Sequence, residues 1–190
     1  MKRLTARRLA PLVLLSLLAL PVQAVETHQS SGNAHQPYAG LDNRPVKALS
    51  PEETDAVLTG KGFSLALAAE LNGYPGPRHV LDLRADLSLS PPQLDAVQAL
   101  FDEMQREAKA LGGDVIAAEA ALDTAFAAGE IDETALAELT GTIGRLRGAL
   151  RSIHLKYHLR TKAILSRHQI VTYNRVRGYG GNDHGGHSTD

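Results

Sequence analysis

From residue 94 the apolar positions fall at Leu94, Val97, Phe101, Met104, Ala108, Leu111, Val115, Ala118 and Leu122, a three-and-four spacing sustained over about four heptads. The spacing predicts one helix over 91–128, on the order of 50 Å long. Gly112-Gly113 falls inside it, where each glycine costs about 1 kcal/mol against alanine and could admit a kink. The stretch AAGEID at 127–132 breaks the pattern, and Asp132 is placed to cap a new start. The spacing resumes at Leu136, Leu139, Ile143, Leu146, Leu150, Ile153, Tyr157 and Ile164, which predicts a second helix over 133–165. Two long helices joined by so short a break fold back as an antiparallel hairpin.

Three further helix starts share one local chemistry: LSPEE at 49–53, LSPPQ at 89–93 and LSRHQ at 165–169. Each reads as a capping box. Ser50, Ser90 and Ser166 would accept an N–H bond at the N-cap, while Glu53, Gln93 and Gln169 reach back to the cap's own N–H. Pro51 and Pro91 stand at the first helical position, where a missing N–H costs nothing. No stretch alternates apolar and polar residues as a strand would, so the predicted class is all-α, a long helical hairpin with shorter flanking helices. The polar stretch 25–48 and the glycine-rich end 179–190 read as a flexible arm and a flexible tail around a helical domain over 49–178.

The opening 24 residues change the compartment. A basic start (Lys2, Arg3, Arg7, Arg8), an apolar run from Leu9 to Leu20 and the ending Val22-Gln23-Ala24 read as a secretory signal peptide cleaved before Val25, the run being too short to span a bilayer. Cleavage would remove four of the 20 basic residues and none of the 21 acidic ones, taking the formal charge from −1 to −5. That sign argues against a general affinity for nucleic acid. There is no cysteine, so any metal must be held by histidine, carboxylate or methionine.

Within the second helix the segment HLKYH puts His154 and His158 four apart, on one helix face, as a two-histidine clamp requires. A hairpin closed near residue 130 sets His154 opposite Gln105 and His158 near Asp102, so Asp102 is the expected third, oxygen ligand. On this reading the histidines flank the core stripe, and Leu155 and Leu159 form a further apolar strip that another helix or a second subunit must cover. Binding through such a pair should fade as pH falls through about 6.5, where free imidazole takes up a proton. The glycine-rich end carries a second candidate metal-binding pair, His184 and His187. His79, just after Pro77, is equally a capping or packing residue.

The exported, cysteine-free helical layout with LSPPQ and LSRHQ, each of the form L-[ST]-x-x-Q, resembles the Spy/CpxP family of periplasmic stress proteins. It is most similar to the metal-associated branch, the zinc-resistance-associated and heavy-metal sensor proteins. The stretch LNGYPGPRHVLDL and the ending with RGYG add to the likeness, which covers roughly residues 49–180. The resemblance implies a hairpin dimerised into a cradle, no enzymatic activity, and a role in holding unfolding clients, binding a divalent metal (Zn, Ni, Co or Cu), or restraining a membrane-bound stress sensor. The chain departs from the chaperone members in its acidic net charge.

That departure is partly repaired between Arg145 and Arg177, where nine basic residues and no acid occur. Arg147, Arg151 and Lys162, with Leu155 and Leu159, are the candidates for client or partner binding. The alternative is a solvated face balanced by Asp102, Glu103 and Glu107 on the facing helix. No phosphate-binding glycine loop, nucleophile elbow or HExxH motif is present, so the expectation is a non-catalytic periplasmic protein.

Overall fold

A computed structural model describes residues 37–179. Six α-helices carry the fold: α1 (Pro51–Thr59), α2 (Leu67–Glu70), α3 (Pro77–Asp82), α4 (Pro91–Ala128), α5 (Glu133–Ile164) and α6 (Arg167–Val176). No strand occurs among the described residues. α4 and α5 form the antiparallel hairpin, and α1, α2, α3 and α6 gather around the end remote from its turn. Gly129, left-handed at φ 69°, ends α4, and Asp132 caps α5 by accepting from the Ala135 N–H at 2.8 Å.

The hairpin's cross-helix pairs run later in α5 than symmetry about residue 130 predicts: Arg147 with Glu119, Lys156 with Glu107, Arg160 with Glu103. Helical side chains lean toward their own N-terminus. In α4 that lean points away from the turn and in α5 toward it, so partners are offset along the pair. Tyr157 is fully buried between the helices, and its hydroxyl donates to Glu107 Oε1 at 3.0 Å.

Gly112 does not kink α4, which runs unbroken. A Cβ there would lie 2.3 Å from the Val57 carbonyl oxygen, so the glycine is the notch into which α1 crosses. Its neighbour Gly113 faces open space.

All three capping boxes form, at Ser50/Glu53, Ser166/Gln169 and Ser90/Gln93. At the third, Gln93 Oε1 accepts from both the Ser90 N–H (3.1 Å) and the Ser90 hydroxyl (3.3 Å). The two motif glutamines then pair amide to amide at 3.0–3.1 Å. Gln93 Nε2 also donates to the Ile164 carbonyl at the end of α5, and Gln169 Nε2 to the Leu87 carbonyl ahead of α4. The motif thus satisfies one helix-end carbonyl and one turn carbonyl at the joint. Around this joint Val80, Leu87, Val97, Leu165 and Tyr173 form one core cluster; Ala108, Val115 and Leu150 form another under α1.

The flexible-arm expectation fails from Tyr38 onward. A 3-10 turn at Leu41–Asn43 leads into a segment that buries Val46 and Leu49 and pairs Lys47 with Asp123 at 2.7 Å, because two apolar side chains in a polar stretch suffice to pin it down. At the other end Tyr179, assigned from sequence to the tail, packs its ring 6.4 Å from that of Tyr173. The signal-peptide segment, the arm before residue 37 and the tail beyond Tyr179 lie outside the described residues.

Candidate functional site

The chemistry concentrates where α2, α3, α5 and α6 meet. Glu70, at the end of α2, is buried, and its carboxylate gathers groups from three other elements. His79 Nδ1 of α3 lies 3.1 Å from Oε1, and Tyr173 of α6 donates its hydroxyl to the same oxygen. The Gly76 N–H donates to Oε2 at 3.2 Å, while His158 Nδ1 and Arg177 Nε stand at 3.7 and 3.6 Å. Burial alone would raise the carboxyl, but the hydrogen bonds from His79 and Tyr173 and the charge of the histidines outweigh it and hold Glu70 at about 2. The same burial and carboxylate push the Tyr173 phenol up, fixing it as the donor.

His158 and His154 both sit under loops. His158 Nδ1 donates to the Tyr74 carbonyl at 2.6 Å, which leaves Nε2 as the ring's unprotonated nitrogen when the ring is neutral. A Cβ on Gly76 would come within 2.8 Å of that ring, so only glycine lets the loop close over it. Gly62 lies over His154, where an added Cβ would be 3.3 Å from Nδ1, a tight approach that glycine avoids. Both imidazoles are therefore buried, although the heptad reading sets them beside the core stripe and not in it; two glycines in the covering loops let the chain close over them. Burial, and then the neighbouring His158, push His154 down to about 4, and burial lowers His158 as well. His154 Nε2 is buried with no hydrogen-bond partner.

A cleft of about 630 Å³ opens on this cluster, lined by His79, His154, His158, Glu70, Met104 and Gln105 among others. Phe101, Met104 and Gln105 share the face of α4 that looks into it. Asp102 is one step further round the helix, about 100° from Phe101, exposed to solvent and bonded by Gln98 Nε2 at 2.8 Å. It stands outside the lining of this cleft. Glu70 is the carboxylate beside the histidines, and its signal in the sequence is that it is the one charged residue between Gly62 and Pro77.

The fit to a divalent cation is partial. His154 and His158 are neutral imidazoles on rigid helix, and His158 donates through Nδ1 to the Tyr74 carbonyl, as metal-bound histidines usually donate their other ring N–H to an oxygen. Yet among the described residues no three His, Asp or Glu side chains are grouped to hold a metal ion. His184 and His187 lie outside those residues.

The residues expected to bind clients are dispersed. Arg147 is tied to buried Glu119 with its Nε at 2.9 Å, and Lys162 caps the Tyr74 ring at 3.5 Å, so both have structural partners. Leu155 is half-buried, with α2 and α3 packed on α5; Leu159 remains exposed. Arg151 is exposed and lines a second cleft of about 440 Å³ with Lys61, Phe63 and Leu150. Three of the nine cations in the run, Arg147, Lys156 and Arg160, pair with Glu119, Glu107 and Glu103 of α4.

No helix among the described residues is long and apolar enough to cross a membrane. No curated protein and no solved structure matches the chain significantly. A family described as heavy-metal resistance matches residues 63–171, from the covering loop above His154 to α6, and the chain belongs to that heavy-metal-resistance family.

Proposed function

We propose that the protein is an exported, non-catalytic metal-associated stress protein of the cell envelope, which takes a divalent transition cation on His154 and His158. The observation that carries the reading is the buried, neutral histidine pair on one face of α5, one nitrogen of which has no partner. A neutral imidazole is a ligand and a protonated one is not. With His154 held near 4, the pair stays ready to bind at acidities that would silence a free histidine. Zinc titrated into the whole chain at pH 7.5 should bind, and His154→Ala/His158→Ala should weaken binding at least tenfold while Asp102→Ala leaves it unchanged. Equal affinity in the histidine variant would retire the site.

A second reading, an ATP-independent holdase, is favoured by the exposed Phe63, Leu67 and Leu71 beside the cleft, and by Leu159 on α5. On that reading the chain suppresses aggregation of an unfolding client without metal, and Arg151→Ser with Lys162→Ser weakens the effect. A second copy covering Leu159 would give a homodimer; a light-scattering mass of one chain across micromolar concentrations would exclude it.

A further inference from the structure

The cleft at the covered end of the hairpin is a poor match for a bare cation. His154 and His158 offer it two neutral imidazoles, and His154 Nε2 is buried with no partner. The one carboxylate in the lining, Glu70, is already engaged: Oε1 accepts from Tyr173 and faces His79, and Oε2 accepts from the Gly76 N–H. Against these stand three cations of the same lining, Lys61, Arg78 and Arg177. With the imidazoles neutral the cleft carries net positive charge, and no free anionic group in it offsets a divalent ion.

We propose that the cleft takes a divalent transition cation together with a small polycarboxylate chelator, His154 and His158 binding the metal while Lys61, Arg78 and Arg177 bind the chelator's carboxylates. This rests on the reading that the α5 pair binds a cation, and it names the form in which that cation is taken. Each feature that disfavours a bare ion then has a use. A chelator of the citrate class supplies the ligands that two imidazoles leave open to a four-coordinate ion, and it brings the negative charge that the lining lacks. The volume, about 630 Å³, is far more than one ion fills and falls within the range of about 300–1,000 Å³ usual for small-molecule sites.

The cations are available for this. Lys61 pairs with Asp55 at 2.7 Å and Arg78 with Asp82 at 3.1 Å, but all four side chains are half or more exposed, and pairs so exposed are weak and readily exchanged for a ligand's carboxylate. Arg78 is also held over the Phe101 ring at 5.7 Å, which keeps its guanidinium at the cleft wall. Arg177 stands 3.6 Å from Glu70 and donates to the Tyr179 hydroxyl. Two of the three cations are arginines, whose planar fork matches a carboxylate with two parallel bonds.

Equilibrium dialysis of the whole chain at pH 7.5, with labelled zinc and labelled citrate, tests the proposal. Citrate binds zinc in solution, so a site that accepts only the bare ion loses apparent affinity as citrate is added. Here added citrate should instead tighten zinc binding at least threefold, with one citrate retained per zinc. Lys61→Ser/Arg78→Ser, at two exposed positions, should remove that gain and the retained citrate, while zinc alone binds as well as before or more tightly because two opposing charges are gone. His154→Asn/His158→Asn, whose amides can keep the bond to the Tyr74 carbonyl, should lose zinc and citrate alike. Zinc binding that weakens as citrate is added, or citrate retained equally without zinc, would overturn the chelate while leaving the α5 site standing. No loss in the histidine variant, or no zinc bound at all, would overturn both.

Discussion

The two ends of the same hairpin are built in opposite ways. Near residues 101–112 of α4 and 150–158 of α5, other elements cover the pair, and a buried carboxylate, three histidines and a tyrosine are packed into one polar joint. Toward the turn, α4 and α5 have mainly each other: Phe126 and Leu136 are exposed, and Gly144 has nothing within 4 Å of where a Cβ would be. The bare end is ordinary amphipathic helix, whereas the covered end carries groups that are costly to bury. Costly groups that persist in a small core are where a function is to be sought.

The contrast can be broken first at Glu70. Glu70→Ala removes the acceptor shared by the Gly76 N–H, the Tyr173 hydroxyl and His79 Nδ1, and should cost about 3–5 kcal/mol, read from the urea midpoint. At the notch where α1 crosses, Gly112→Ala must push backbone away from backbone and should lose about 1–3 kcal/mol. Gly113→Ala, one residue on and facing open space, should instead gain up to about 1 kcal/mol. Opposite signs at adjacent positions would be hard to explain by helix propensity alone.

Acid should separate the ends as well. His154 is depressed in the folded state, so the unfolded chain takes up its proton first. Its contribution to stability is full above about 6.5 and is lost as pH falls toward about 4, a change on the order of 3 kcal/mol for a group so deeply buried. Glu70 adds a second window lower down, its contribution fading as pH falls from the ordinary carboxyl range near 4.5 toward about 2. Denaturant titrations at pH 7.5 and 4.5 should differ accordingly, and His154→Leu should flatten the upper window. The smallest effect belongs to the bare end: Gly144→Ala should raise the melting temperature slightly, by the equivalent of about 0.5–1 kcal/mol, and leave metal binding unchanged.

Legibility in the sequence followed the same division. The hairpin was readable to within a residue because an apolar stripe at helical spacing, with Asp132 and Gly129 at the break, specifies a helix pair without reference to anything distant. The three serine boxes were readable for the same local reason. The site was only half readable. HLKYH places two histidines on one face of α5, but which face, and what covers it, depends on loops whose course turns on Gly62 and Gly76. Height along the hairpin points to Asp102, but the angle round α4 turns it to solvent, and Glu70 is distant in sequence from every partner except His79 and Gly76, so no spacing ties it to the histidines of α5.

The paired glutamines of the two L-S-x-x-Q segments have a consequence for descent. Each amide is both donor and acceptor to the other across 76 residues of chain, and each also holds a carbonyl beside the other's helix. A change to either residue alone leaves its mate with the wrong complement of lone pairs and protons, so the two segments should be inherited as one character. Among relatives, positions 93 and 169 should be kept or replaced together, and a lineage that loses one should be found to have already altered the other.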